Sequence, residues 1–214
     1  MSKITALRAT GRSRQNGKRK TRVFLDGRAA LTLEIEAVVN QGLHVGQELS
    51  VDDIEVLTRE GHFYRCLNAA THFLSYRPRS ETELRKRLVQ RGFQIDNVEA
   101  VIKRLKEQNL VDDVAFAQFW KENRDTFSPR SQWLTGLELR RKGVSEDIIN
   151  AVVSDVDDDD SAYRAASSRA RRLPLSDYQT FHRRLGDFLK RRGFNYGVIR
   201  RTVQRLWEEL GQTN

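Results

Sequence analysis

Cysteine is almost absent from this 214-residue chain, which has one Cys, one Met and three Pro. A lone Cys66 cannot close an internal disulfide, so packing must hold the fold, and the usage agrees with a reducing compartment. No run of eighteen apolar residues occurs, and Met1-Ser2-Lys3-Ile4-Thr5 lacks the apolar core of a signal peptide. Neither membrane spanning nor secretion is expected, and the chain reads as cytoplasmic. A phosphate-cradling glycine loop, a nucleophile elbow and paired catalytic carboxylates are all missing, so an enzyme is not expected. Acidic side chains are outnumbered, 29 against 38 Lys and Arg, and the resulting charge of +9 favours a polyanion or an acidic protein surface.

What is present is a soluble composition, 38% apolar and 31% charged. Residues 1–33 hold the strand-like pattern: Ile4–Leu7, a loop at Asn16-Gly17, Thr21–Leu25, then Asp26-Gly27 and Ala30–Leu33. Asp-Gly between β-prone runs marks a hairpin, because tight primed turns need residues that tolerate positive φ. From Glu34 the spacing turns helical, with Ile35, Val38 and Val39 on one face and Gly42 as the stop, and a second short helix is expected at about 51–58.

Everything after residue 60 reads as helix. Ser80 with Glu83 forms a capping-box signature, and Gly92 closes that helix. Val98, Val101, Ile102 and Leu105 follow at helical spacing; Asp112-Asp113 opens a helix carrying Phe116, Phe119 and Trp120 inward. Ser128-Pro129 reads as a cap and first-turn proline before Trp133, Leu134 and Leu137. Ile148, Ile149, Val152 and Val153 come next, then Ala162, Ala166, Ala170 and Leu173, then Phe181, Leu185, Phe188 and Leu189, and last Ile199, Val203, Leu206 and Leu210. That makes nine helices in three groups.

The groups repeat. Pro78-Arg79-Ser80 recurs as Pro129-Arg130-Ser131, and each serine stands twelve residues before a glycine, Gly92 or Gly143. Gly193 is the third, and each glycine follows a cation (Arg91, Lys142, Arg192) and precedes an apolar residue (Phe93, Val144, Phe194). Such a triplet suits a helix C-terminus, with the cation at the negative dipole end and glycine in the left-handed position. The expected architecture is mainly α: tandem three-helix repeats in a curved elongated array behind a small N-terminal α+β extension with a β-hairpin. The boundaries expected are 1–60 for the extension and 61–109, 110–156 and 157–214 for the repeats.

On these residues the chain resembles the RecX regulators of the recombinase RecA. The block running from Ala69-Ala70-Thr71-His72-Phe73 through Arg77-Pro78-Arg79-Ser80-Glu81-Thr82-Glu83-Leu84 to Gly92 is similar to the family's first repeat. Leu110-Val111-Asp112-Asp113 with Trp120 to Arg124, and Leu137-Glu138-Leu139 with Lys142-Gly143-Val144, follow in the family's order, over about residues 60–210. The resemblance implies a non-enzymatic protein that binds the RecA filament, in its helical groove, and restrains its ATP hydrolysis, strand exchange and co-protease activity. The third repeat departs most, since Pro174-Leu175-Ser176 replaces the Pro-Arg-Ser opening.

The candidate contacts to RecA or DNA are cations. Arg77 and Arg79 flank Pro78, and Arg85, Lys86, Arg87 and Arg91 share a helix. The equivalent ends carry Arg140, Arg141 and Lys142, and Lys190, Arg191 and Arg192; three repeats placing cations alike would make a row. Arg124 and Arg130 lie in the second repeat, and Arg183, Arg184, Arg200, Arg201 and Arg205 make the last unit the best candidate for phosphate contact. Arg12, Arg14, Lys18, Arg19 and Lys20 read as a solvated loop. A rival reading is a basic helical protein that binds single- or double-stranded DNA and acts by covering it. Trp120, Trp133 and Trp207 sit on apolar stripes and are expected in the core rather than stacked on bases. Asp157–Asp160 is accounted for by a helix dipole, and His62 with Cys66 lacks a second ligand pair, so no metal or other cofactor is expected.

Overall fold

The computed structural model describes residues 1–12 and 19–212, so the loop expected at Asn16-Gly17, with Arg14 and Lys18, lies outside the described residues. Strands β1 (Ser2–Arg12), β2 (Arg19–Leu25) and β3 (Arg28–Glu34) form an antiparallel sheet joined by β4 (Glu48–Leu49), in the order β3-β2-β1-β4. Asp26 and Gly27 both have positive φ, +49° and +79°, the backbone a primed hairpin turn requires. The Lys3 amide donates to Asp26 Oδ1 at 2.9 Å, which holds that carboxyl below its usual range. β4 was not expected from the sequence; its two residues pair with Ser2 and Lys3, far away in the chain.

Helix α1 (Ile35–Asn40) follows β3, and Ala37 and Val38 close over Ile4, Val23, Leu25 and Leu33. Helix α2 then runs Val51–Leu74 without a break, where a short helix ending near 58 was expected. Ser50 and Asp53 cap it reciprocally. Gly61, inside this helix, is a point of close approach: a Cβ there would stand 3.0 Å from Leu33 Cδ2. Leu57 joins the core of the sheet, and Cys66, Ala69, Ala70 and Phe73 join the next core. The position between 60 and 61 therefore lies inside one helix.

The expected nine helices in three groups are found among the described residues. The later part of α2 packs with α3 (Glu81–Gln90) and α4 (Ile95–Glu107) around Leu84, Leu88, Val98, Val101, Ile102 and Leu105, each worth roughly 1.5–3 kcal/mol when fully buried. Helices α5 (Asp113–Phe127), α6 (Gln132–Arg141) and α7 (Glu146–Val153) enclose Phe116, Ala117, Leu139, Ile149 and Val152. Helices α8 (Asp158–Ala170), α9 (Tyr178–Arg191) and α10 (Tyr196–Gly211) enclose Ala162, Ala166, Phe181, Leu185, Leu189 and Val203.

Two local expectations change. Ser128 ends α5 instead of starting α6; the cap of α6 is Ser131, whose Oγ accepts from the Leu134 amide at 3.1 Å. Trp133 is 65% exposed and outside the core, because α6 turns Thr135, Gly136 and Leu139 inward. Trp120 and Trp207 are half-buried against Phe116 and Phe181. The chain forms two compact units, residues 1–79 with 84–111, and residues 80–83 with 112–214.

Candidate partner-binding surface

The second unit shows where its basic helix ends go. At the close of α6, the Lys142 carbonyl accepts from Ser80 Oγ at 2.5 Å, and Gly143, at φ +80°, has Thr82 so near that an added Cβ would lie 2.4 Å from it. At the close of α9, the Arg192 carbonyl accepts from the Ser131 amide at 3.1 Å, and a Cβ on Gly193 would meet Leu134 Cβ and Ser131 Oγ at 2.6 Å. The first helix of each following repeat adds a carboxylate: Asp113 Oδ1 accepts from the Glu81 amide at 2.8 Å and Asp158 Oδ1 from the Gln132 amide at 2.7 Å. The same seam thus recurs, with a helix start capped from its own repeat by serine and covered from the next by an aspartate and a glycine turn.

Cations at these seams face inward. Lys142 pairs with Glu83 at 3.4 Å and lies 5.0 Å from the centre of the Trp120 ring. Arg192 donates to Ser128 Oγ (3.0 Å) and the Pro129 carbonyl (2.9 Å) and covers Phe188. Beside it, Glu138 accepts from Arg124 Nε at 2.7 Å and Trp120 Nε1 at 2.9 Å and pairs with Arg130. Two half-buried guanidinium groups, Arg124 and Arg130, thus share one carboxylate, and the half-buried Arg192 stands near Arg124 with its bonds made to Ser128 and Pro129. Burial, and after it the charges of Arg124 and Arg192, hold Arg130 below its ordinary pKa; burial does the same for Arg124 and, with Arg124, for Arg192.

Other predicted cations are paired at the surface. Arg140 grips Glu146 through two bonds of 2.9 and 2.6 Å, raising its own pKa and lowering that of Glu146. Arg201 grips Asp159 in the same way, and Arg205 bonds Glu209 at 2.8 Å over Tyr163. Arg141, Arg183, Arg184, Lys190, Arg191 and Arg200 are exposed with no ion pair among the described residues. Four of these six stand on α9. Arg171 and Arg172, exposed just past α8, belong to the same class and were missed; their place after Arg169 at a helix end was the available signal.

In the first unit, Arg79 is buried, with Nε donating to the Phe73 carbonyl at 3.2 Å. Arg87 and Arg91 lie 5.0 and 5.1 Å from the centre of the Phe73 ring, exposed to solvent. Arg85 is bound to Glu99 at 2.6 Å, Arg77 donates to the Pro78 carbonyl at 2.9 Å, and Lys86 is exposed. Cys66 is buried, its thiol pushed up to about 12, and is chemically quiet. Asp157 caps α8 by accepting from the Asp159 and Asp160 amides. Among the described residues no cluster could hold a metal ion, and no helix is long and apolar enough to cross a membrane.

Two family models match, for the first three-helix domain of RecX at residues 66–105 and the third at 157–203. A regulatory protein RecX of Chlorobium limicola is 33% identical over 139 residues, covering 65% of this chain and 87% of that one. This chain belongs to the RecX family. A regulatory protein RecX of Clostridium perfringens is 29% identical over 213 residues, 96% of this chain and 97% of its own. In fold, a crystal structure of a regulatory protein RecX matches with a TM-score of 0.65 at 21% identity, over 94% of this chain and 98% of that one. The tandem three-helix architecture is therefore that of RecX proteins.

Proposed function

We propose that this RecX-family chain is a non-enzymatic regulator that binds RecA filaments and restrains their ATP hydrolysis, strand exchange and co-protease activity. Its contacts are distributed over the three repeats, 61–109, 110–156 and 157–214, behind the extension 1–60. The carrying observation is the outer face of α9, where Arg183, Arg184, Lys190 and Arg191 are exposed and, apart from Arg183 with Asp177 near it, unpaired, while the seam cations are occupied. Unpaired surface cations cost nothing to withdraw from internal bonds, so they are the ones free to meet the acids of a filament. Regulation then follows from preference for one filament state over another.

A second reading, that the chain acts by covering DNA, is favoured by Trp133, whose exposed ring suits base stacking. RecA ATPase on single-stranded DNA, titrated with the protein at several salt concentrations and with excess free DNA, separates the two. Inhibition that survives excess DNA supports filament binding; inhibition that vanishes favours the second reading. Reversing Arg183, Arg184, Lys190 and Arg191 to Glu should weaken inhibition by about tenfold or more while leaving the melting temperature within a few degrees. Unchanged inhibition removes α9 from the interface.

A further inference from the structure

Three glycine turns of one design occur in the molecule, and one of them is uncovered. Gly92, Gly143 and Gly193 share the left-handed backbone, at φ +84°, +80° and +86°. The latter two turns press on the helix starts at Ser80–Thr82 and Ser131–Leu134, and their Lys142 and Arg192 carbonyls each accept a bond from the serine there. Around Gly92 no described atom comes within 4 Å of where a Cβ would be, and no described donor reaches the Arg91 carbonyl.

The side chains flanking this turn differ in the same sense. Val89 and Ile95 are 45% and 53% exposed, at the positions where the second repeat has its Arg140–Glu146 ion pair and the third has Lys190 and Tyr196. A groove of about 650 Å³ opens from Gln94 between α2 and α4, lined in part by Phe63, Tyr64, Asn97 and Ala100. An apolar rim, a spare carbonyl, a cation at Arg91 and an open groove are gathered at one turn.

We propose that the Arg91–Gly92–Phe93 turn, with Val89 and Ile95, docks the opening turn of a helix on the chain's protein partner, as the internal turns dock α3 and α6. The Ser80 seam defines the occupant: a helix start with Ser or Thr at the cap to donate to the Arg91 carbonyl, and a carboxylate three residues on to meet Arg91 as Glu83 meets Lys142. A second copy of this chain fits poorly. Its α3 and α6 starts are already covered, Ser50 Oγ at the start of α2 is spent on Asp53, and α9, which starts after Asp177, has Thr180 in place of a carboxylate three residues on.

The proposal rests on the filament-binding reading, and the test keeps the two apart. Gly92→Asn tolerates the left-handed backbone while placing a side chain on the docking face, and Ile95→Lys makes the rim polar. Binding of the full chain to RecA filaments on single-stranded DNA is measured for wild type and both variants, with free-DNA binding, sedimentation and melting as controls. Each variant should bind filaments about tenfold more weakly, with free-DNA affinity and melting unchanged. Wild-type binding that both variants retain overturns the proposal alone; a wild type that does not bind filaments overturns the regulatory reading and the proposal with it. Wild-type self-association abolished by Gly92→Asn overturns the choice of partner.

Discussion

Gly92 and Gly143 end their helices with nearly the same backbone, yet one turn faces no described neighbour and the other has Thr82 against it. Both are asked to reverse the chain after a cation, and glycine does that locally by accepting positive φ without a Cβ penalty. Only at Gly143 does the missing Cβ also make room for another repeat. The motif is therefore the same in sequence and different in duty, a local stop in the first repeat and a joint in the second.

The largest effect expected separates these duties. Gly143→Ala should cost about 3 kcal/mol, from roughly 1–2 kcal/mol of backbone strain and overlap with Thr82 added to it, whereas Gly92→Ala should cost about 1 kcal/mol. Urea-unfolding midpoints of the two variants check this, and equal losses would mean that the close approach at Thr82 is readily relaxed. Next in size is the serine of the covered helix start. Ser80→Ala removes the acceptor for the Glu83 amide and the donor to the Lys142 carbonyl, both with a buried side chain, for about 2 kcal/mol. Ser145, which precedes α7 without a side-chain cap bond, should lose under about 0.5 kcal/mol on the same change. A common loss at both serines would show that capping alone, without the seam, sets the value.

The smallest effect concerns the flanks, apolar at Val89 and Ile95 and ionic at Arg140 and Glu146. The Arg140 hydrogen bonds lower the folded-state pKa of Glu146 below its ordinary 4.5, so the pair's contribution is full above that pH and is lost as pH falls through the folded value. Glu146→Gln should melt slightly below wild type at pH 6, and the gap should close as the pH is taken down below about 4.5. A gap that stays constant with pH would remove the ion pair as its cause.

The helical stripes were legible because 3.6-residue periodicity is a local property: Val98, Val101, Ile102 and Leu105 are all buried as their spacing requires. α6 misled because its inward face is Thr135, Gly136 and Leu139, two of them invisible to a search for large apolar residues, while Trp133 looks outward. Continuity of α2 through Arg59-Glu60-Gly61-His62 was hidden for a related reason, since the fit of Gly61 against Leu33 is a tertiary matter. The kinds of charge at the candidate surface could be read from composition, but not their partners. Glu138 stands alone in its stretch of sequence and gathers Arg124, Arg130 and Trp120 from two other segments. Which cations are left over is decided by folding, and α9 keeps four of them.

The continuous α2 has a mechanical meaning. Its first turns wedge into the sheet through Leu57 and its last turns into the bundle through Phe73, so a stiff rod of 24 residues is cemented at both ends. The extension and the first bundle cannot swivel independently about it, and a protease cut near its midpoint would leave two fragments, each with an open wound in its interior.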